Sequence, residues 1–237
     1  MQKIELGNIA IEVEFKAIKN IHLSVYPPVG RVKIAAPEHM DIDTIRVFAL
    51  TKLQWIKKQQ KIFLEQLRET PREFLTKESH YYQGKRYLLK VIEWNASPRV
   101  VIKHHEIDLY IRPESTQEKR KEVIEEWYRS ELKLLVPVLI DKWEKKLKVQ
   151  CNEFRIKKMR TKWGSCNTEA KRIWINLELA KKPLECLEYI VVHELVHLIE
   201  RGHNERFVAL MDEHLPKWRF YREELNSLPF GHVDWRY

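Results

Sequence analysis

Apolar and polar residues alternate along residues 9–15 (Ile-Ala-Ile-Glu-Val-Glu-Phe) and again along 21–26, the period-two pattern of half-buried strands. Pro27-Pro28-Val29-Gly30 reads as a turn, residues 31–35 as a returning strand, and Pro37 as its end. Behind Asp43, which suits an N-cap, the apolar spacing lengthens to that of a helix reaching about Gln66. Residues 70–79 are polar around Pro71 and predict a loop. Strands return at 87–93, 100–103 and 107–112, with His104-His105-Glu106 at the turn between the last two.

The second half reads as mostly helical. Ser115-Thr116-Gln117-Glu118 resembles a capped start, and Trp127, Leu132, Leu135, Val138, Leu139 and Trp143 give the helix that follows, to about residue 147, a broad apolar face. Pro137 predicts a kink in it, because a proline removes one backbone hydrogen bond. Extended segments follow at 154–158 and 172–179, separated by a loop over 160–167. Pro183 then opens a helix whose Leu184, Leu187, Ile190, Val191, Leu195 and Leu198 recur at spacings of three and four. Short helices over 204–213 and 219–226 complete the pattern, and no internal repeat stands out. The class is α+β: a β-rich region over 1–112 with one long helix, then a region over 113–237, the two separate or forming one continuous domain.

The helix behind Pro183 carries the chemistry. His193 and His197 are four residues apart, so they share a face with Cβ atoms about 5–6 Å from each other. Both imidazoles can therefore reach one divalent ion. Glu194 is rotated by about 100° from His193, where it can serve a water on that ion without ligating it. This is the H-E-x-x-H pattern of zinc hydrolases. A catalytic zinc usually takes three protein ligands and keeps one open position. His203 is the candidate for the third, brought back if Gly202 ends the helix in the left-handed conformation. Glu200, on the same face as the two histidines, is its rival. The expected cofactor is Zn²⁺, although imidazole ligands also accept other first-row dications.

His193-Glu194-Leu195-Val196-His197, then His203 and Phe207, preceded by Arg160-Thr161-Lys162-Trp163-Gly164-Ser165-Cys166, resemble the YgjP-like metal-dependent hydrolases, relatives of the SprT-like and Wss1-like zincin peptidases. The resemblance implies a zincin-like metallohydrolase core built on the H-E-x-x-H helix, with Glu194 as general base. It also implies a peptide or protein substrate, and a strand before the helix (172–179) that runs along the cleft and pairs with it. Members of the family have also been associated with UTP pyrophosphohydrolase activity, which makes a nucleotide the alternative substrate. The 160–167 loop would hang over the metal. There Arg160 and Lys162 would hold an anionic or carbonyl oxygen and Trp163 would stack on a planar group or plug the core. Gly164 would permit a tight turn and Cys166 would be buried.

Charge and composition narrow the partners. The chain has 43 Lys+Arg against 34 Asp+Glu, a formal charge of +9, which favours anionic partners and keeps open a third reading, a basic nucleic-acid-associated module with structural zinc. Its 44% hydrophobic residues exclude a disordered chain. No apolar run reaches the roughly 20 residues of a membrane helix, and the first residues lack the apolar core of a secretory signal. The three cysteines, Cys151, Cys166 and Cys186, form neither a C-x-x-C pair nor an even set, which suits a reducing cytoplasm. The pattern fixes no oligomeric state.

Overall fold

The computed structural model describes residues 2–26, 30–65, 72–159 and 162–227. The chain divides into two compact units, 1–66 and 67–237. The first is a four-stranded sheet with two helices. Strands β1 (Gln2–Leu6), β2 (Ile9–Lys16), β3 (His22–Tyr26) and β4 (Arg31–Pro37) lie in the order β1-β2-β4-β3. β2 and β4 run parallel, and the two outer pairs are antiparallel. Alternation puts Ile11, Val13, Val32 and Ile34 on one face, where Ile45, Ala49 and Ile56 from α1 (Ile42–Thr51) and α2 (Leu53–Glu65) share their core. Glu12, Glu14, Arg31 and Lys33 occupy the intervening positions and pair with one another, Lys33 to Glu14 at 2.6 Å and Arg31 to Glu12 at 3.7 Å.

Two expectations change here. β1 escapes the sequence pattern because only Ile4 and Leu6 are apolar in its five residues. The single helix expected behind Asp43 is two helices, capped by Asp41, whose side chain accepts from the Thr44 N–H at 2.8 Å. At Lys52 the N–H turns back to the Ala49 carbonyl at 3.1 Å, which tightens the last turn and separates α1 from α2. Pro27, Pro28, Val29 and Gln66 lie outside the described residues.

Gly30 holds this unit's tightest approach. Its φ is +74°, and a Cβ there would sit 2.5 Å from Gln60 Cγ, while its carbonyl accepts from Gln60 Nε2 at 2.8 Å. Gly30→Ala combines a left-handed alanine with a steric overlap. It is expected to cost roughly 1–3 kcal/mol, seen as a lower urea midpoint in the fluorescence of Trp55, the sole tryptophan of residues 1–66. An unchanged midpoint would mean that α2 simply moves aside.

The second unit opens by repeating the plan of the first. Strands β5 (Ser79–Tyr82), β6 (Lys85–Glu93), β7 (Arg99–Ile102) and β8 (Glu106–Ile111) lie in the order β5-β6-β8-β7, with β6 and β8 parallel and the outer pairs antiparallel. In both parallel pairs apolar residues face apolar ones. Ile11 faces Val32 and Val13 faces Ile34 in the first sheet; Leu89 faces Ile107 and Val91 faces Leu109 in the second. Gly7 and Gly84 occupy the two opening hairpin turns at φ +59° and +76°. Five residues beyond Ala36 and Ile111 stand the helix caps Asp41 and Thr116, each accepting from the N–H three residues on. No repeat shows in the sequence because the two sheets share strand order and pairing directions rather than residues. Ser79, expected as the end of a loop, is the first residue of β5.

α3 (Gln117–Leu147) is one continuous helix with Pro137 inside it. Val138, expected in its apolar face, is exposed, while Ile124, Tyr128, Leu132 and Val136 join Leu89, Ile107, Leu109 and Ile111 in one core. That shared core is why a boundary at 112/113 would fall inside the second unit, between β8 and its own helix. Beyond α3, β9 (Glu153–Lys157), β10 (Gly164–Asn167) and β11 (Arg172–Asn176) form a sheet in the order β10-β11-β9. A 3-10 turn, Leu177–Lys181, then leads to α4 (Leu184–Val196), α5 (Glu205–His214) and α6 (Trp218–Ser227). α4 is buried nearly all round and packs against α3, α6 and β10. None of the described helices is long and apolar enough to cross a membrane.

Candidate metal centre and cleft

His193 lies in the last turn of α4 and His197 is its C-cap, with ring centroids 4.9 Å apart. The helix ends here, not at Gly202: Leu198 and Ile199 donate to the carbonyls three residues back, at 3.0 and 2.9 Å. Gly202 is not left-handed, so the chain reverses by that tightened turn instead of by a glycine cap. Asn204 then caps α5, accepting from the Phe207 N–H at 3.0 Å. This returns His203 to the site, its Nε2 3.0 Å from His193 Nε2. One ring nitrogen from each of His193, His197 and His203 lies within 4.8 Å of the others. Phe207, 2% exposed, sets its ring 4.9, 4.9 and 4.8 Å from the three imidazoles and forms a common wall. Glu200 is not in the group; its carboxylate accepts from the Gly202 N–H at 3.3 Å and lies 3.9 Å from Arg206.

These residues fit a divalent ion. Two nitrogens bound to one tetrahedral zinc at 2.0–2.1 Å lie about 3.3 Å apart, close to the 3.0 Å between His193 and His203. The Nδ1 of His197 is 3.1 Å from the Glu200 carbonyl and donates to it, which leaves Nε2 as a lone pair. Burial pushes His193 down to about 3 and lowers His197 as well, so both rings are neutral donors at pH 7.

Glu194 is 4% exposed, and burial pushes its carboxyl up to about 8, with Lys162 acting against the rise. Its neighbour explains an observation that sequence alone misread. Gly164 makes no tight turn; it is the first residue of β10, and a Cβ there would meet Glu194 Oε1 at 2.4 Å and Cγ at 2.8 Å. The glycine is required because the strand's backbone presses directly on the carboxyl group.

A cleft of about 920 Å³ opens beside the histidines, lined along one side by every residue of β10 and along the other by Tyr189, Ile190, His193, Glu194 and His197. Lys162 and Trp163 both line it; Arg160 lies outside the described residues. The segment predicted as loop is therefore partly strand. β11, expected to flank the cleft with a free edge, is sandwiched between β10 and β9, so among the described residues the sheet's edge on this side is β10. Cys166 is half-buried and lines the cleft rather than being sealed in the core. Burial, with Glu194 nearby, pushes its thiol up to about 12, so it remains protonated at neutral pH. Sequence reasoning also missed Arg201, which reaches Thr168 Oγ1 at 2.8 Å across the cleft mouth, and Asn176, whose N–H holds the Trp163 carbonyl at 2.9 Å.

Residues 19–228 match the YgjP-like family, described as a metallopeptidase domain. The chain belongs to the YgjP-like family. Among solved structures, the crystal structure of the metallopeptidase zymogen abylysin of Pyrococcus abyssi is similar at a TM-score of 0.36 and 19% identity, covering 38% of this chain and 90% of that one. No curated protein gives a match. Membership places this YgjP-like chain among metal-dependent hydrolases, and its three gathered histidines agree with a metal cofactor.

Proposed function

We propose that the chain is a zinc-dependent peptidase in which His193, His197 and His203 hold the ion and Glu194 is the general base. One observation carries the reading: three imidazoles converge beside a buried carboxyl group in a cleft that is also lined by β10, an edge strand among the described residues. Bound by the histidines, the ion supplies Lewis acidity and a water acidic enough to attack near neutral pH. Glu194 accepts the proton of the attacking water and returns it to the leaving amine. β10 offers its free backbone edge to an extended peptide. Its partners on the other side, in β11, keep that edge straight. Lys162 at the rim neutralises the developing oxyanion or a substrate carboxylate.

A second reading, hydrolysis of UTP to UMP and pyrophosphate, is favoured by the pairing of Lys162 with Trp163 and Trp174 in one cleft, which suits phosphates and a base. Digestion of unstructured casein and pyrophosphate release from UTP, measured side by side with and without a chelator, separate the two. Chelator-sensitive casein cleavage with no UTP turnover is expected. Chelator-sensitive UTP turnover alone would replace the peptidase reading, and activity untouched by metal removal would remove both.

A further inference from the structure

Asn176, the last residue of β11, is fully buried and sits behind the cleft wall rather than in it. Its amide nitrogen donates to the carbonyls of Met159 at 2.9 Å and Lys162 at 2.7 Å. Its amide oxygen accepts from the N–H groups of Met159 at 3.3 Å and Glu178 at 3.2 Å. A carboxamide has two donors and two acceptor sites, so all four are used. The orientation is also unambiguous, since a flipped amide would turn its NH₂ toward two N–H donors and its oxygen toward two carbonyls. The main-chain N–H of the same residue holds the Trp163 carbonyl at 2.9 Å.

One side chain thus joins two parts of the site. On one side it grips the approach to β10, at Met159 and Lys162, with Trp163 held by its backbone. On the other it caps the 3-10 turn that leads into α4 and its histidines. Gly164, directly after this anchored stretch, is the residue pressed against Glu194. We propose that Asn176 is a positioning residue, fixing Lys162, Trp163 and the Gly164 wall relative to Glu194. The assignment of its effect on turnover rests on the hydrolase reading above; the clamp itself does not. No other residue type supplies the same set. Aspartate has the shape but no donors, and would confront the Met159 and Lys162 carbonyls with a third acceptor. Glutamine adds a methylene to a fully buried side chain and moves its amide away from these four partners.

The test uses full-length protein carrying Asn176→Asp. A shift of the rim by about 1 Å costs on the order of 100-fold. That loss in kcat/KM on casein is expected, with a full complement of zinc retained. Acrylamide quenching assigned to Trp163, by difference from the same variant carrying Trp163→Phe, should rise as the rim loosens. A lower melting temperature with unchanged kcat/KM and unchanged Trp163 quenching, both measured well below that temperature, would make Asn176 merely structural and overturn the proposal. If the variant does not fold, hydrogen exchange in the wild type decides. The Met159 and Glu178 amides, bound to the Asn176 oxygen, should exchange at least about 100-fold more slowly than free amides, and rapid exchange at both would remove the clamp. A fully active Glu194→Gln would sink the hydrolase reading while leaving the quenching and exchange results standing.

Discussion

Glu194→Gln is expected to keep one metal ion per chain and to lose about 10²–10⁴-fold in kcat, the usual contribution of a general base. Glutamine preserves the shape of the buried side chain between α4 and Gly164, and it touches none of the three histidines' donor atoms. The amide cannot take a proton, so a loss confined to kcat, with KM and zinc content unchanged, is the diagnostic pattern. At the middle of that range the barrier rises by about 4 kcal/mol. Zinc loss in parallel with activity would instead make Glu194 part of the metal's support. Activity within twofold of wild type would take the proton from some other group.

Gly164→Ala should produce a comparable loss from the opposite wall. The new methyl carbon would lie 2.4 Å from Glu194 Oε1 and 2.9 Å from its Cδ, against an ordinary separation of about 3.5–4.0 Å. Either β10 or the carboxyl group must therefore move by about 1 Å, enough to cost on the order of 100-fold in kcat/KM. The readout that separates this from simple destabilisation is the double variant. With Glu194→Gln already present, adding Gly164→Ala should lower the residual rate little, because the misplaced group no longer acts. Additive losses in that cycle would show that the alanine acts elsewhere in the cleft.

The sequence made part of this arrangement legible. His193 and His197 share a face through a spacing of four, a local property that packing does not alter. His203, six residues on, comes within reach as proposed, but by a tightened helix end and the Asn204 cap rather than by Gly202. β10 reads as loop in the sequence because Gly-Ser-Cys-Asn has neither alternation nor β-branched residues; it is extended because β11 pairs with it. Asn176 sits where alternation in 172–176 places a polar, outward residue, yet it is buried, holding the carbonyls of Met159 and Lys162. Gly164 gave no hint either, since the carboxyl group that forbids a side chain there lies thirty residues away in the sequence.

The repeated sheet has a consequence for how this chain reaches its fold. Two four-stranded sheets with one strand order and the same pairing directions offer each other's strands an alternative partner during folding, the circumstance in which tandem copies misassemble. Their inner faces scarcely discriminate, being Ile and Val in one and Leu, Val and Ile in the other. Their outer faces do. A β2 strand transferred beside β8 would set Glu12 and Glu14 against Asp108 and Tyr110 and leave Arg31 and Lys33 without their carboxylates. The ion pairs on the first sheet are individually weak in the finished molecule. In a chain with that strand misplaced they would be lost altogether, which favours each strand's own copy.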